Sequence, residues 1–251
     1  MMPLPPEFLN RPFAHRGYHN RALGHIENSP SAIRAAIAAG YGIEIDVQLS
    51  RDGVAMVFHD ETLDRLTDHA GLLADHLAVD LQKIILTDST DCIPTLAQVL
   101  TIIAGQTPLL IEIKDQTGDM SQTDARLEQA TAADLAAYQG PVATMSFNPH
   151  CMAHMAQLAP QIARGLTTSA YDYAEWAPLD PAICDQLRDI PDYQRTGSVF
   201  ISHEASDLDR PRVQALKSHG AHIQCWTIKT KAAEQTARRL ADNITFEGYI
   251  P

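Results

Sequence analysis

Three short segments in the first quarter of the chain place ionisable side chains at or just past the ends of apolar runs. They are His15-Arg16-Gly17 after Arg11-Pro-Phe-Ala14, Glu44-x-Asp46 closing Tyr41-Gly-Ile-Glu-Ile-Asp46, and His59-Asp60 after Val54-Ala-Met-Val-Phe58. Runs of this length suit buried strands. Imidazoles, a guanidinium and carboxylates beside such strands are costly to bury unless they pair or hold a metal. Side chains at i and i+2 of a strand share a face, so Glu44 and Asp46 can share one hard cation that relieves their repulsion. A further acid, Glu112, lies inside Leu110-Ile-Glu-Ile-Lys114. Three carboxylates at strand ends form an all-oxygen set that favours Mg²⁺ or Ca²⁺ over softer metals. Arg16 can grip phosphate oxygens through its planar fork, and Lys114, on the strand face of Glu112, can add a point charge.

The elements that must position these groups alternate along the chain. Strand-like runs at 11–15, 42–48, 108–114, 141–146, 162–166, 198–202, 222–227 and 243–246 are separated largely by helical patterns, the mark of parallel strands with crossover helices. Arg51-Asp52-Gly53 predicts a tight turn from the second run into an antiparallel partner over 54–58. With that pair taken as one unit, eight parallel strands result, and residues 1–251 read as one α/β domain, a single (β/α)8 barrel with its site at the C-terminal strand ends. Helices are expected over 30–39, with Ser29 as N-cap and Gly40 as stop, over 95–104, and over 121–138. Residues 60–94, after the second strand unit, break the rhythm and read as a small insertion near the barrel mouth. The stretch 169–197 gives no single assignment.

Composition narrows the function classes. Lys and Arg number 19 against 31 Asp and Glu, a net charge of −12, so the surface lacks the basic character that nucleic acid rewards. No stretch approaches the ~18 apolar residues of a membrane helix, and the first residues do not read as a signal peptide. Cys92, Cys151, Cys184 and Cys225 are scattered without C-x-x-C spacing, as expected of reduced thiols in the cytoplasm. Among the eleven histidines, His19, His25, His69, His76, His154 and His219 fall in expected loops or exposed helix faces and are expected to be solvated.

Taken in order, His15-Arg16-Gly17, Ile26-Glu-Asn-Ser29, Ala38-Ala-Gly-Tyr-Gly-Ile-Glu-Ile-Asp-Val47, Ser50-Arg-Asp-Gly53, Val57-Phe-His-Asp60 and Leu63-Asp-Arg-Leu-Thr67 resemble the glycerophosphodiester phosphodiesterase family. The resemblance is dense over roughly the first 70 residues and thinner beyond. It implies metal-dependent hydrolysis of a glycerophosphodiester to glycerol 3-phosphate and an alcohol, with one divalent cation, Mg²⁺ or Ca²⁺, at Glu44, Asp46 and Glu112. It also implies His15 and His59 as the acid–base pair, a role to which imidazole pKa values are suited. Glu27 and Asn28 stand beside the family's Pro-Glu-Asn-Thr stretch, and Glu27 either orients His15 or a water or fixes its loop. Trp226 matches a family aromatic near the mouth and either lines the glycerol side or packs the core. Many relatives end their last strand with Thr-Asp-x-Pro, whereas Glu247 stands near that Asp position here, leaving the role of this segment open. Two other readings remain: a sphingomyelinase D-like phospholipase that forms a cyclic phosphate, and a barrel that binds phosphoesters without turnover.

Overall fold

Parallel strands cannot be joined by hairpins, so each pair needs a crossover that packs back on the sheet. The computed structural model, which describes residues 2–251, meets this with helices. In chain order these are α1 (Glu7–Asn10), β1 (Phe13–Ala14), α2 (Pro30–Ala39), β2 (Gly42–Leu49), β3 (Ala55–Val57), α3 (Ala78–Leu81), α4 (Leu96–Ile103), β4 (Leu109–Ile113) and α5 (Arg126–Leu135). There follow β5 (Val142–Ser146), α6 (Pro149–Leu158), β6 (Ala163–Thr168), α7 (Pro181–Arg188), β7 (Phe200–Glu204), α8 (Pro211–Ser218), β8 (His222–Ile228), α9 (Lys231–Ala237) and β9 (Asn243–Phe246). The strands run β1-β9-β8-β7-β6-β5-β4-β2, and the pairing of β1 with β2 closes a parallel (β/α)8 barrel. As the turn at 51–53 predicts, β3 is antiparallel to β2, with Val47 opposite Val57.

The outward faces of the strands supply the main core. Ile43, Ile45, Val47 and Ile111 pack there with Ile33, Val99 and Ile103 from the helices. The barrel's N-terminal end is filled by Phe8, Phe13, Leu110, Ala143 and Phe200. Asn243 ties α1 across that end, its Nδ2 donating to the carbonyls of Phe8 at 2.7 Å and Arg11 at 2.6 Å. Above this plug the inward positions turn polar: Glu112, Thr167, Ser202, Gln224 and Thr245 are all buried.

Local sequence explains most of the boundaries. Ser29 Oγ accepts from the Ala32 N–H, Pro30 occupies the first turn of α2, and Gly40 ends it at φ 77°. Thr95 and Gln98 form a reciprocal capping box on α4. Two expectations need correction. The run at 11–15 forms only a two-residue strand, because Pro12 has no N–H to donate and the chain turns at Arg16, which adopts φ 54°. The helix expected over 121–138 starts at Arg126, because the Met120 and Ser121 N–H groups donate to Asp115 and Asp119 and Ala125 sits at φ 63°. The unassigned stretch contains α7, capped by Asp180. Residues 60–94 carry a 3₁₀ turn at Leu73–Asp75 and α3, and pack Leu63, Leu73, Leu81 and Ile84 with Met56 and Phe58 in an apolar cluster of their own. All four cysteines are free thiols.

Gly165 on β6 marks how tightly the barrel interior is filled. A methyl group there would lie 2.5 Å and 2.6 Å from ring carbons of the fully buried Phe200 and 2.6 Å from its carbonyl oxygen. Gly165→Ala should therefore lower unfolding stability by about 1–3 kcal/mol, read as a lower urea midpoint at unchanged m-value. An unchanged midpoint would mean that the interior has slack that the packing does not show.

Candidate active site

The period of two that makes a strand amphipathic also builds the site. Glu44 and Asp46, Glu112 and Lys114, Met145 and Phe147, and Thr245 and Glu247 are four i, i+2 pairs that line one cavity of about 520 Å³ at the C-terminal strand ends. His15 and Arg16 follow β1, and His59 follows β3; all three reach the same cavity, as do Glu27, Trp176 and Trp226. Asp46 is the direct register partner of Glu112 across β2 and β4.

At the cavity floor, buried oxygens of Glu44, Asp46 and Glu112 lie within 4.8 Å of one another. Burial pushes the Glu44 carboxyl well above the usual carboxylate range, and the charges of Asp46 and Glu112 add to this. Burial acts the same way on Asp46, but Lys114, His59 and Arg16 outweigh it and hold that carboxyl well below its ordinary value. Lys114 Nζ donates to Glu112 Oε1 at 2.8 Å and lies 3.5 Å from Asp46 Oδ1. Burial opposes its charge, yet Glu112 and Asp46 raise its pKa above the ordinary lysine value. Clustered carboxylate oxygen, one member of which is driven toward protonation by burial and by its neighbours, is a donor set that fits a hard divalent cation, and these three residues can hold one.

The loop after β1 is shaped around these acids. Arg16 and Asn28 both adopt left-handed backbone, at φ 54° and 58°. The Arg16 N–H donates to Glu44 Oε2 at 2.9 Å. Asn28 donates from Nδ2 to Asp46 Oδ2 at 2.9 Å and accepts the Asp46 N–H at 3.2 Å, so its amide clamps Asp46 from both sides. Gly17 takes φ 80°, and a methyl group there would come within 3.0 Å of the Ala32 backbone. Arg16 Nη1 donates to Glu27 Oε1 at 2.7 Å, while its buried Nε, 3.4 Å from Asp46 Oδ2, has no hydrogen-bond partner.

Each imidazole is held through Nδ1 by a carboxylate. Glu247 Oε2 lies 2.6 Å from His15 Nδ1, and Asp60 Oδ1 lies 2.7 Å from His59 Nδ1. The His15 hydrogen bond, joined by His19 and Lys229, keeps Glu247 well below its ordinary pKa. Burial works against Asp60, but His59 and Arg65 hold it low as well. Both acids are therefore ionised acceptors, each Nδ1 donates, and each Nε2 is left for other partners. Burial lowers the His15 pKa, with the Glu247 hydrogen bond opposing.

Glu27, expected either to orient His15 or a water or to fix its loop, joins Arg16 to Arg65 Nη1 and Nη2 at 2.8 and 2.7 Å, and Arg65 continues to Asp60 Oδ2 at 2.6 Å. These ion pairs link the surroundings of both histidines. His19 is not simply solvated: it lines the cavity, with Nε2 3.6 Å from Glu247 Oε2. Trp226 is half-buried on the cavity wall, donating from Nε1 to the Ser202 carbonyl at 3.0 Å. Glu247, Phe147 and Trp176 are wall residues with no assigned role in the sequence reading. The alternation through Asn243 and Thr245 points to the first of them; Trp176, in an irregular loop, carries no such signal.

The glycerophosphoryl diester phosphodiesterase family profile matches residues 15–244. A glycerophosphodiester phosphodiesterase of Caldanaerobacter subterraneus subsp. tengcongensis is 30% identical over 160 residues, 61% of this chain and 64% of that protein, so the match spans just under two thirds of that relative. A Bacillus subtilis protein of the same description is 24% identical over 210 residues, 76% of this chain and 67% of its own length. Among solved structures, an Oleispira antarctica phosphodiesterase in complex with its product sn-glycerol 3-phosphate superposes with a TM-score of 0.77 at 25% identity, covering 96% of this chain and 94% of that one. With the profile match beginning at His15 and ending at Ile244, the chain belongs to the glycerophosphoryl diester phosphodiesterase family.

Proposed function

We propose that this protein hydrolyses glycerophosphodiesters to glycerol 3-phosphate and an alcohol, with Glu44, Asp46 and Glu112 holding one divalent cation, Mg²⁺ or Ca²⁺. The observation that carries the reading is the meeting, in one cavity, of two carboxylate-held imidazoles with a buried acid cluster flanked by Arg16 and Lys114. The chemistry a cation supplies at such a cluster is Lewis-acid withdrawal of charge from the phosphoryl oxygens and acidification of the attacking hydroxyl. The free N–H of Arg16 Nε and the ammonium of Lys114 receive the non-bridging phosphate oxygens as negative charge develops there. One imidazole Nε2 accepts the proton of the attacking oxygen, and the other delivers a proton to the departing alcohol oxygen. Glu247 and Asp60 fix the tautomers that make this possible, and Asn28 holds Asp46 in place. Residues 1–251 act as one domain, with 60–94 an insertion that bounds access: Glu61 and Leu72 share a groove with Gln48 and Asp115–Gly118 beside the ends of β2 and β4. The buried free cysteines Cys151, Cys184 and Cys225 favour a reducing, cytoplasmic setting.

Asp46→Asn and Glu112→Gln should each weaken Mg²⁺ or Ca²⁺ binding in titration calorimetry by at least the ~10–100-fold that loss of a mere supporting contact costs. Wild-type affinity in both variants would place the metal elsewhere.

His15→Ala and His59→Ala should each lower kcat on a natural glycerophosphodiester by ~10²–10⁴-fold with metal binding retained. A substrate with a very good leaving group should restore the rate of whichever variant lacks the acid. Near-normal kcat in both single variants would remove the proposed acid–base pair.

Glu247→Gln offers the His15 ring an amide that stabilises the wrong tautomer, so kcat should fall about tenfold or more while KM changes little. Glu247→Asp, which keeps the charge, should recover part of the loss. An equal loss in both variants, with KM rising in parallel, would show that Glu247 binds substrate and does not orient His15.

A further inference from the structure

Arg65 lies on the 60–94 insertion, yet its guanidinium reaches Glu27 on the wall of the catalytic cavity. Its Nη1 and Nη2 donate to Glu27 Oε2 and Oε1 at 2.8 and 2.7 Å, so both oxygens of that carboxylate are taken. Its Nε and Nη2 donate to both oxygens of Asp60, at 2.6 and 3.0 Å. Glu27 Oε1 also accepts from Arg16 Nη1 at 2.7 Å. Asp60, Arg65, Glu27 and Arg16 thus form a chain of alternating acid and base that ends on the guanidinium assigned above to the phosphate. The backbone that carries Arg65 is fixed. Leu63 and Leu66 beside it are buried in the insertion's own apolar cluster, and Thr67 closes the turn, its N–H and hydroxyl donating to the Leu63 carbonyl at 3.1 and 2.8 Å.

The Arg65 side chain is 47% exposed, and ion pairs this wet add little to stability, so holding the fold together is a weak reason for four hydrogen bonds. What a planar fork supplies is direction. Because Arg65 occupies both oxygens of Glu27, Arg16 meets that acid through Nη1 alone and keeps its Nε turned toward Asp46, 3.4 Å away. With Arg65 removed, the Glu27 carboxylate is free to close a two-point fork on Arg16 and draw its donors away from the cavity. Asp60 holds the other edge of Arg65 and so sets the angle at which it meets Glu27. Resting on the phosphodiesterase reading above, we infer that Arg65 is a positioning residue that acts through Glu27: it keeps Arg16 free to grip the phosphate, which gives the insertion a part in binding as well as in access.

The test is the affinity for sn-glycerol 3-phosphate by titration calorimetry with Mg²⁺ or Ca²⁺ present, a measurement that inactive variants also allow. Arg65→Met should weaken binding by about tenfold or more, the loss typical of a supporting contact. Arg65→Lys should recover little, because a point charge cannot occupy both oxygens of each acid. In an Arg16→Lys background Arg65→Met should cost nothing further, since the group it positions is gone, whereas in a His59→Ala background the full loss should persist. A role confined to holding the insertion would lower the number of binding sites and leave their affinity unchanged, and that result would overturn the inference. So would a full further loss on Arg16→Lys, or disappearance of the loss on His59→Ala, which would place the action of Arg65 at Asp60. Each of these leaves the phosphodiesterase reading intact. Wild-type protein that cleaves no glycerophosphodiester with either metal would overturn that reading and this one with it.

Discussion

The mutual repulsion of three buried carboxylates is the constraint around which the upper half of this barrel is arranged. At 4.8 Å and an effective dielectric near 20, each pair of full negative charges costs on the order of 3 kcal/mol. A barrel of apolar strands cannot absorb such a cost through solvent. The compensation has to come from positive groups delivered to the same spot, and the strand period delivers one of them directly: Lys114 lies two residues beyond Glu112, so the chain that brings the acid also brings the ammonium. Arg16 supplies the second through both its backbone N–H and its side chain. What charge remains can be relieved by a proton on Glu44 or by a hard cation, and the two compete for the same oxygens.

Delivery of Arg16 has a conformational cost that the same carboxylates offset. A left-handed arginine and a left-handed asparagine, each disfavoured by about 1 kcal/mol or more, are held by hydrogen bonds to Glu44 and Asp46 and to each other, the Asn28 N–H donating to the Arg16 carbonyl at 2.7 Å. Asparagine suits position 28 for two reasons: it tolerates this backbone better than most residues, and its amide both donates and accepts, which an aspartate could not do beside Asp46. The strained turn and the acid cluster thus stabilise one another.

Much of this was readable in the sequence because it rests on local periodicity. Glu44 and Asp46 share a face by spacing alone, as do Glu112 and Lys114, and the capped helix 30–39 follows from Ser29, Pro30 and Gly40. What escaped depends on separation. Glu27 meets Arg65, 38 positions away, an ion pair that no local pattern announces. Trp176 reaches the wall from a loop without periodic pattern, and its neighbours Phe147 and Trp226 come from opposite regions of the chain. A loop position predicts solvent for His19, whereas the turn at Arg16 and Gly17 folds it back over Glu247. Helix propensity across 121–125 loses to hydrogen bonds that the Met120 and Ser121 N–H groups donate to Asp115 and Asp119, so α5 starts only at Arg126.

The two imidazoles look alike at their Nδ1 atoms, yet they depend on the fold in different ways. His59 takes its carboxylate from the adjacent residue, so its orientation survives any movement that keeps the 59–60 peptide intact. His15 takes its carboxylate from a residue 232 positions away, across the seam where β1 meets β9. That seam is short: β1 contributes two residues to it, Phe13 opposite Thr245 and Ala14 opposite Phe246. Local opening begins where backbone pairing is shortest. It follows that loosening of the β1–β9 seam separates His15 from Glu247 before it disturbs Glu44, Asp46 or Glu112, which sit on the longer β2 and on β4, so the His15–Glu247 contact is the part of the cavity most tightly coupled to closure of the barrel.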